Sequence, residues 1–180
     1  MRALINRLKS DEALMLAYQR GDSDAFEYLY HRHKDGLFAF LYRSCPRRAV
    51  VEELSQDAWM AVVNSARHYR AEALFRTWLY QIARNRLVDF RRRKDNAHAT
   101  LDDVPEPAAD AGADERGELQ QQLMGAITRL PGEQRDALLL QEQGFSLREI
   151  ADITGQVEET VKSRLRYARG QLRQQLGGEL

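Results

Sequence analysis

Residues 145–156 read Phe145-Ser146-Leu147-Arg148-Glu149-Ile150-Ala151-Asp152-Ile153-Thr154-Gly155-Gln156, and this stretch decides the fold. Ser146 with Glu149 three residues on is a capping box, in which each side chain satisfies an amide donor at a helix start. Leu147, Ile150 and Ile153 recur at helical spacing as buried positions. Thr154-Gly155-Gln156 is a short glycine-containing turn, and a final helix runs from about Val157 to Leu176. Val161, Leu165, Ala168, Leu172 and Leu176 make its apolar face, and Lys162, Arg166, Arg169 and Arg173 repeat alongside at steps of three and four. At about 100° per residue, the basic stripe lies roughly 90° round from the apolar one. A short helix, a tight turn and a long helix showing cations sideways form a helix-turn-helix suited to the DNA major groove. A basic stripe alone describes a solvated face equally well. Together with the turn and the capping box it points to phosphate contact and base reading.

Upstream the pattern stays helical, with neither sustained alternation nor an Asn-Gly or Asp-Gly hairpin. Asp11 to Gln19 makes a first helix, and Ser23, as its cap, opens a second that runs toward Tyr42 and is interrupted at Cys45-Pro46. Ala49 to Ala66 is a third, with Val50, Leu54, Ala58, Ala61 and Val62 as its core stripe. A fourth spans about Phe75 to Arg93, with Leu79, Ile82, Ala83, Leu87 and Phe90 facing inward. Leu119 to Leu130 and Glu133 to Gln143 follow, separated by Pro131-Gly132. Between 95 and 118 lie Pro105, Pro107, Gly112 and many alanines, too little apolar area to offset ordering. The expected fold is therefore all-α, with two small helical domains, 10–94 and 119–180, joined by a flexible acidic linker at 95–118.

Charge follows the same division. The chain has 180 residues with 27 basic and 27 acidic side chains, for a net charge of zero. Yet 84–94 carries Arg84, Arg86, Arg91, Arg92, Arg93 and Lys94 against Asp89, and 162–173 carries five cations and no acid. The linker is strongly anionic. The charge map thus predicts that in the free chain the linker folds against the cationic surfaces and draws the domains together. Hydrophobic residues at 43% and charged residues at 30% exclude a membrane protein and a wholly disordered chain. No apolar run reaches the roughly 18 residues of a spanning helix. The single Cys45 fits a reducing compartment, so a cytoplasmic location and no membrane insertion are expected. An enzyme is disfavoured. His31 and His33 sit too close to share a helical face, Cys45, His68 and His98 are scattered without metal-ligand spacing, and no phosphate-cradling glycine loop or nucleophile–base pair emerges. Neither a cofactor nor a metal is expected.

Two stretches of the first domain carry further signal. Glu52-Glu53-Leu54-Ser55-Gln56-Asp57 places Glu53 and Asp57 four apart on one helix face. Such a face is either merely solvated or a docking surface for a basic partner helix. Arg76-Thr77-Trp78-Leu79-Tyr80-Gln81-Ile82-Ala83-Arg84-Asn85-Arg86 interleaves aromatics with cations and amides, after Arg67, His68, Tyr69, Arg70 and Phe75. Aromatic faces stack on unpaired bases while cations track the backbone. The competing reading puts Phe75 and Trp78 in the core.

Phe75 to Asn85 resembles the FxTWLYxIARN signature of bacterial RNA polymerase sigma factors of the extracytoplasmic-function (ECF) group. Glu52 to Asp57 resembles the EDLxQE stretch before it, and Leu130 to Arg135 and Thr160 to Leu165 resemble the LPxxxR and TVKSRL segments after it. Four signatures fall in family order across about 10–94 and 119–176. The resemblance implies a transcription initiation factor that binds core RNA polymerase and carries out no chemistry of its own. Glu52, Glu53, Gln56 and Asp57 would dock on the β′ clamp helices, and the second domain would meet the β flap. Tyr69, Arg76, Trp78, Arg84 and Asn85 would recognise and open the −10 promoter element. Lys162, Ser163, Arg166 and Tyr167 would face −35 bases, with Arg169 and Arg173 nearer phosphates. The linker would lie in the polymerase cleft, and an anti-sigma factor would hold the chain inactive. Gln156-Val157-Glu158-Glu159 departs from the small residues common in the family at the recognition-helix start. The two acids suit the helix dipole and would either repel phosphate or accept from a cytosine amino group. A stand-alone duplex-binding transcription factor is the competing function; it leaves the acidic face and the 75–85 segment unexplained.

Overall fold

The computed structural model describes residues 8–96 and 115–177, and the described residues are all-α. In the first half, α1 (Asp11–Gln19) is capped by Ser10, and α2 (Ser23–Ser44) by Asp22 rather than by Ser23, which is already helical; each capping side chain accepts from an amide of the first turn. Helix α3 (Arg48–Ser65) leads through a 3-10 turn at Ala66–His68 and a short loop into α4 (Phe75–Asn96). Their common core is built from Leu14, Met15, Leu37, Phe40, Leu54 and Leu79.

Two core expectations shift. Helix α3 buries Val51 and Trp59, while Val50 and Ala61 are only half-buried. The cause is aromatic: Trp59 packs edge-on against Phe26 and Tyr30 of α2, at centroid distances of 5.9 and 5.2 Å. On α4, Leu79, Ala83 and Leu87 are buried as expected, Ile82 and Phe90 are half-buried, and Tyr80 is 2% exposed. Tyr80 is covered by the second half of the chain.

That second half comprises α5 (Glu115–Arg129), α6 (Gly132–Glu142), α7 (Leu147–Thr154) and α8 (Glu158–Gln175). Glu149 N donates to Ser146 Oγ at 3.2 Å and Ser146 N to Glu149 Oε2 at 2.8 Å, so both arms of the capping box are made. Ile150 and Ile153 are buried and Leu147 half-buried. Gly155 ends α7 at φ +65°, the left-handed conformation a side chain would resist. Replacing the cap, Ser146→Ala, is expected to cost about 1 kcal/mol. It should appear as a lower denaturant midpoint with unchanged slope.

Helix α4 runs to Asn96 and α5 starts at Glu115, so both helices extend a few residues into the acidic segment. Residues 97–114 lie outside the described residues, and with them the expected contact between the anionic linker and the cationic surfaces. The two halves nonetheless touch directly: α2 packs on α6, and α4 packs on α7.

Candidate nucleic-acid interface

The acidic face stands where its spacing places it. Glu52, Glu53, Gln56 and Asp57 are all exposed on α3, and Arg48 Nε pairs with Glu52 at 3.0 Å one turn away. Beside them lies an apolar feature that the charge pattern does not announce. A groove of about 410 Å³ runs between α2 and α3, lined by Phe26, Tyr30, Phe38, Trp59, Met60 and Val63 and edged by Glu52 and Gln56. Met60 is 52% exposed at its rim. An acidic edge beside an exposed apolar groove suits a partner helix with a basic flank and apolar knobs.

The aromatic segment divides. Tyr69 is only 6% exposed; its ring lies 5.0 Å from Trp78 and 6.1 Å from Phe75, and its hydroxyl donates to the Ala73 carbonyl. Burial, with the carboxylates of Glu12 and Asp11 nearby, pushes the Tyr69 phenol up to about 12. Tyr69 is thus a buried wall against Trp78. Phe75 is fully buried, so the core reading holds for it. Trp78 is half-buried and Asn85 exposed.

The loop that carries these groups is braced from α1. Gln19 Nε2 donates to the carbonyls of Ala66 (2.6 Å) and Tyr69 (2.8 Å), and Glu12 Oε1 accepts from Phe75 N at 2.9 Å at the start of α4. Sequence reasoning singled out neither residue. The partners lie about fifty to sixty positions away, and no local pattern marks such a brace.

Arg76 and Arg84 face the second half of the chain. Arg76 donates to the Gln143 carbonyl, and its guanidinium sits 4.0 Å from the centroid of the Phe145 ring. Tyr80 meets Phe145 edge-on at 4.8 Å and donates to Gln143 Oε1 at 3.2 Å. Arg84 Nε and Arg91 Nη1 reach Asp136 at 3.3 and 2.8 Å. Arg135 donates to the Ser44 carbonyl at 2.7 Å across the same seam, and burial, followed by the charge of Arg91, pushes its guanidinium down. Two of the five expected −10 residues are therefore engaged between the halves. Asp136 follows the Leu130–Arg135 segment directly, beside Glu133, Gln134 and Arg135, and nothing in its spacing marks it as the partner of arginines some fifty positions away.

The recognition stripe faces outward. Lys162, Arg166, Tyr167, Arg169 and Arg173 are exposed on α8, and Ser163 is half-buried. Tyr167 is 57% exposed, with the Arg166 guanidinium 5.3 Å from its ring centroid. Lys162 Nζ lies 3.5 Å from Glu159, so an acid at the helix start pairs with the first cation of the stripe. Arg169 donates to Gln141 Oε1 at 2.6 Å. Arg164, off the stripe, pairs with Glu133 and ties α8 to α6.

Comparison with known proteins converges on one family. Residues 29–97 match the model of sigma-70 region 2, and residues 120–172 match that of sigma-70 region 4. The ECF RNA polymerase sigma factor SigM of Mycobacterium tuberculosis is 34% identical over 171 residues, covering 94% of this chain and 86% of SigM. The sigma factor RpoE of Bartonella quintana, solved with the anti-sigma factor NepR, superposes with a TM-score of 0.73 at 25% identity over 86% of this chain and 98% of that one. CnrH, solved with the cytosolic domain of CnrY, shares the fold with a TM-score of 0.75 at 22% identity, covering 96% of this chain and all of that one. With both family regions matched in order and SigM 34% identical along nearly the whole chain, the chain belongs to the ECF group of sigma-70 family RNA polymerase sigma factors.

Proposed function

We propose that this sigma factor docks on core RNA polymerase through α3 and directs it to promoters with −10 and −35 elements. The observation that carries the reading is the exposed acidic edge of Glu52, Glu53, Gln56 and Asp57 beside the groove under Met60, a protein-docking surface that a stand-alone duplex reader has no use for. On this reading the β′ clamp helices supply the basic, apolar partner, and the second domain, 119–180, meets the β flap. Domain 10–94 handles the −10 element: Trp78 stacks on opened bases with Tyr69 behind it, Asn85 meets a base edge, and Arg76 and Arg84 hold the strand once the halves part. The acidic segment, 95–118, tethers them. Lys162, Ser163, Arg166 and Tyr167 read the −35 duplex while Arg169 and Arg173 hold its phosphates. No helix among the described residues is long and apolar enough to cross a membrane, and the chain acts in the cytoplasm without catalysing a reaction. An anti-sigma factor, as in the RpoE complex with NepR, sequesters it.

Two measurements test this. Purified chain mixed with core polymerase should co-elute as one complex; failure to associate leaves only a duplex-binding protein. On −35 duplexes, Arg166→Ala should cost about 1–3 kcal/mol and relax preference at one position. Arg173→Ala should weaken all sequences alike and reduce the salt slope by about 1.

A further inference from the structure

Among the described residues Asp136 is the buried charged side chain, with 1% of its surface exposed. Both of its charged partners come from the other half of the molecule. Arg84 reaches Oδ2 and Arg91 reaches Oδ1, so each carboxylate oxygen is held by a different guanidinium. The two arginines are seven residues apart, two turns along one face of α4. Two guanidiniums thus share one carboxylate, the carbonyls of Ser44 and Thr154 take part of their remaining donors, and Arg135 adds a further cation to the same seam through its own bond to the Ser44 carbonyl. Cations in such excess form a site built for an anion with two acceptor oxygens, and a phosphodiester presents that pair as a carboxylate does. The site sits on the helix that also carries Trp78 and Asn85.

We propose that Arg84 and Arg91 form a binding site for a backbone phosphate of single-stranded promoter DNA, and that Asp136 occupies this site in the free chain as a built-in competitor. The inference rests on the sigma-factor reading and deepens it. In the closed chain the α8 stripe is open to solvent while the α4 phosphate site is filled. A −35 duplex therefore finds its surface at once, whereas an opened −10 strand must first displace Asp136. Closure and strand binding are alternatives, linked by one coupling free energy that acts in both directions.

A second contact separates closure from charge. Gly36 on α2 lies at the seam, where an added Cβ would stand 3.1 Å from the Tyr80 hydroxyl and 3.4 Å from Gln143 Oε1. A larger side chain there presses on Tyr80 of its own half and on Gln143 of the other, the pair that bonds across the seam, and is expected to part the halves while Arg84, Arg91 and Asp136 keep their side chains; its intrinsic helix propensity is better than that of glycine.

The test uses the full chain with Cys45→Ser and dyes at Asn64→Cys and Gln174→Cys, read by fluorescence transfer. The probe is oligothymidylate, beside an oligomer of the same sequence with an uncharged methylphosphonate backbone. Asp136→Asn and Gly36→Leu should each lengthen the interdomain distance and tighten oligothymidylate binding by about 5- to 150-fold. The gain should be absent with the uncharged backbone and lost when Arg91→Ala is added to Gly36→Leu. If Asp136→Asn fails to fold, Gly36→Leu decides the matter. Opening without tighter binding overturns the proposal, as does a gain that survives Arg91→Ala or extends to the uncharged strand. Unchanged distance in both variants overturns it too. Specific transcription by the unaltered chain with core polymerase, alongside any of these failures, sinks the competitor alone; no such transcription sinks the sigma-factor reading itself.

Discussion

Reversing two charges on α3, Glu53→Lys with Asp57→Lys, is expected to abolish association with core RNA polymerase. Both side chains are exposed, one turn apart, and edge the surface that the docking reading assigns to a basic partner. Like charges brought face to face in an interface cost several kcal/mol, so affinity should fall about a hundredfold or more. Exposed substitutions of this kind usually move folding stability by no more than about 0.5 kcal/mol. The denaturant midpoint and the affinity for a −35 duplex should therefore stay where they are. Fluorescence anisotropy of labelled chain titrated with core polymerase measures the loss. Unchanged affinity would mean that the acidic face is only a solvated one.

The second large effect is at Trp78. Its ring packs on Tyr69 and Phe75, at 5.0 and 6.0 Å, yet it stays half-buried, so part of it remains accessible. Stacking an unpaired base on an aromatic ring is worth about 1–3 kcal/mol. Trp78→Ala should therefore reduce opening of the −10 element by about 5- to 150-fold, read as permanganate reactivity of its thymines, and Trp78→Phe should restore most of it. Polymerase affinity separates the roles: a purely structural Trp78 would lower docking and opening together, whereas a stacking Trp78 lowers opening alone.

The helical framework was legible because its signals are local. The Ser146–Glu149 capping box and the glycine turn at 155 fix α7 and its exit, and the two interleaved stripes fix how α8 lies on the domain. The exposed acidic face and the exposed α8 cations follow from spacing in the same way. What spacing does not carry is which helix lies opposite. Trp59 is buried because Phe26 and Tyr30 wait for it on α2, and Tyr80 because Phe145 does in the turn before α7. Tyr69 is buried because Phe75 and Trp78 of the next helix close on its ring. Asp136 has the same lesson at larger scale. Its role depends on Arg84 and Arg91 meeting it across a domain boundary, a juxtaposition of some fifty residues' separation that no periodicity encodes. The charge map anticipates attraction between halves of the chain, but among the described residues the attraction runs between folded helices.

All of these surfaces matter only if the chain gives a polymerase its promoter choice. The most direct measurement is run-off transcription on fragmented genomic DNA, with purified core RNA polymerase in the presence and absence of the chain. New transcripts are expected from a restricted set of start sites sharing −35 and −10 sequences, lost with Glu53→Lys and Asp57→Lys. An unchanged transcript pattern when the chain is added, despite intact binding of duplex DNA by α8, would contradict a role in promoter choice.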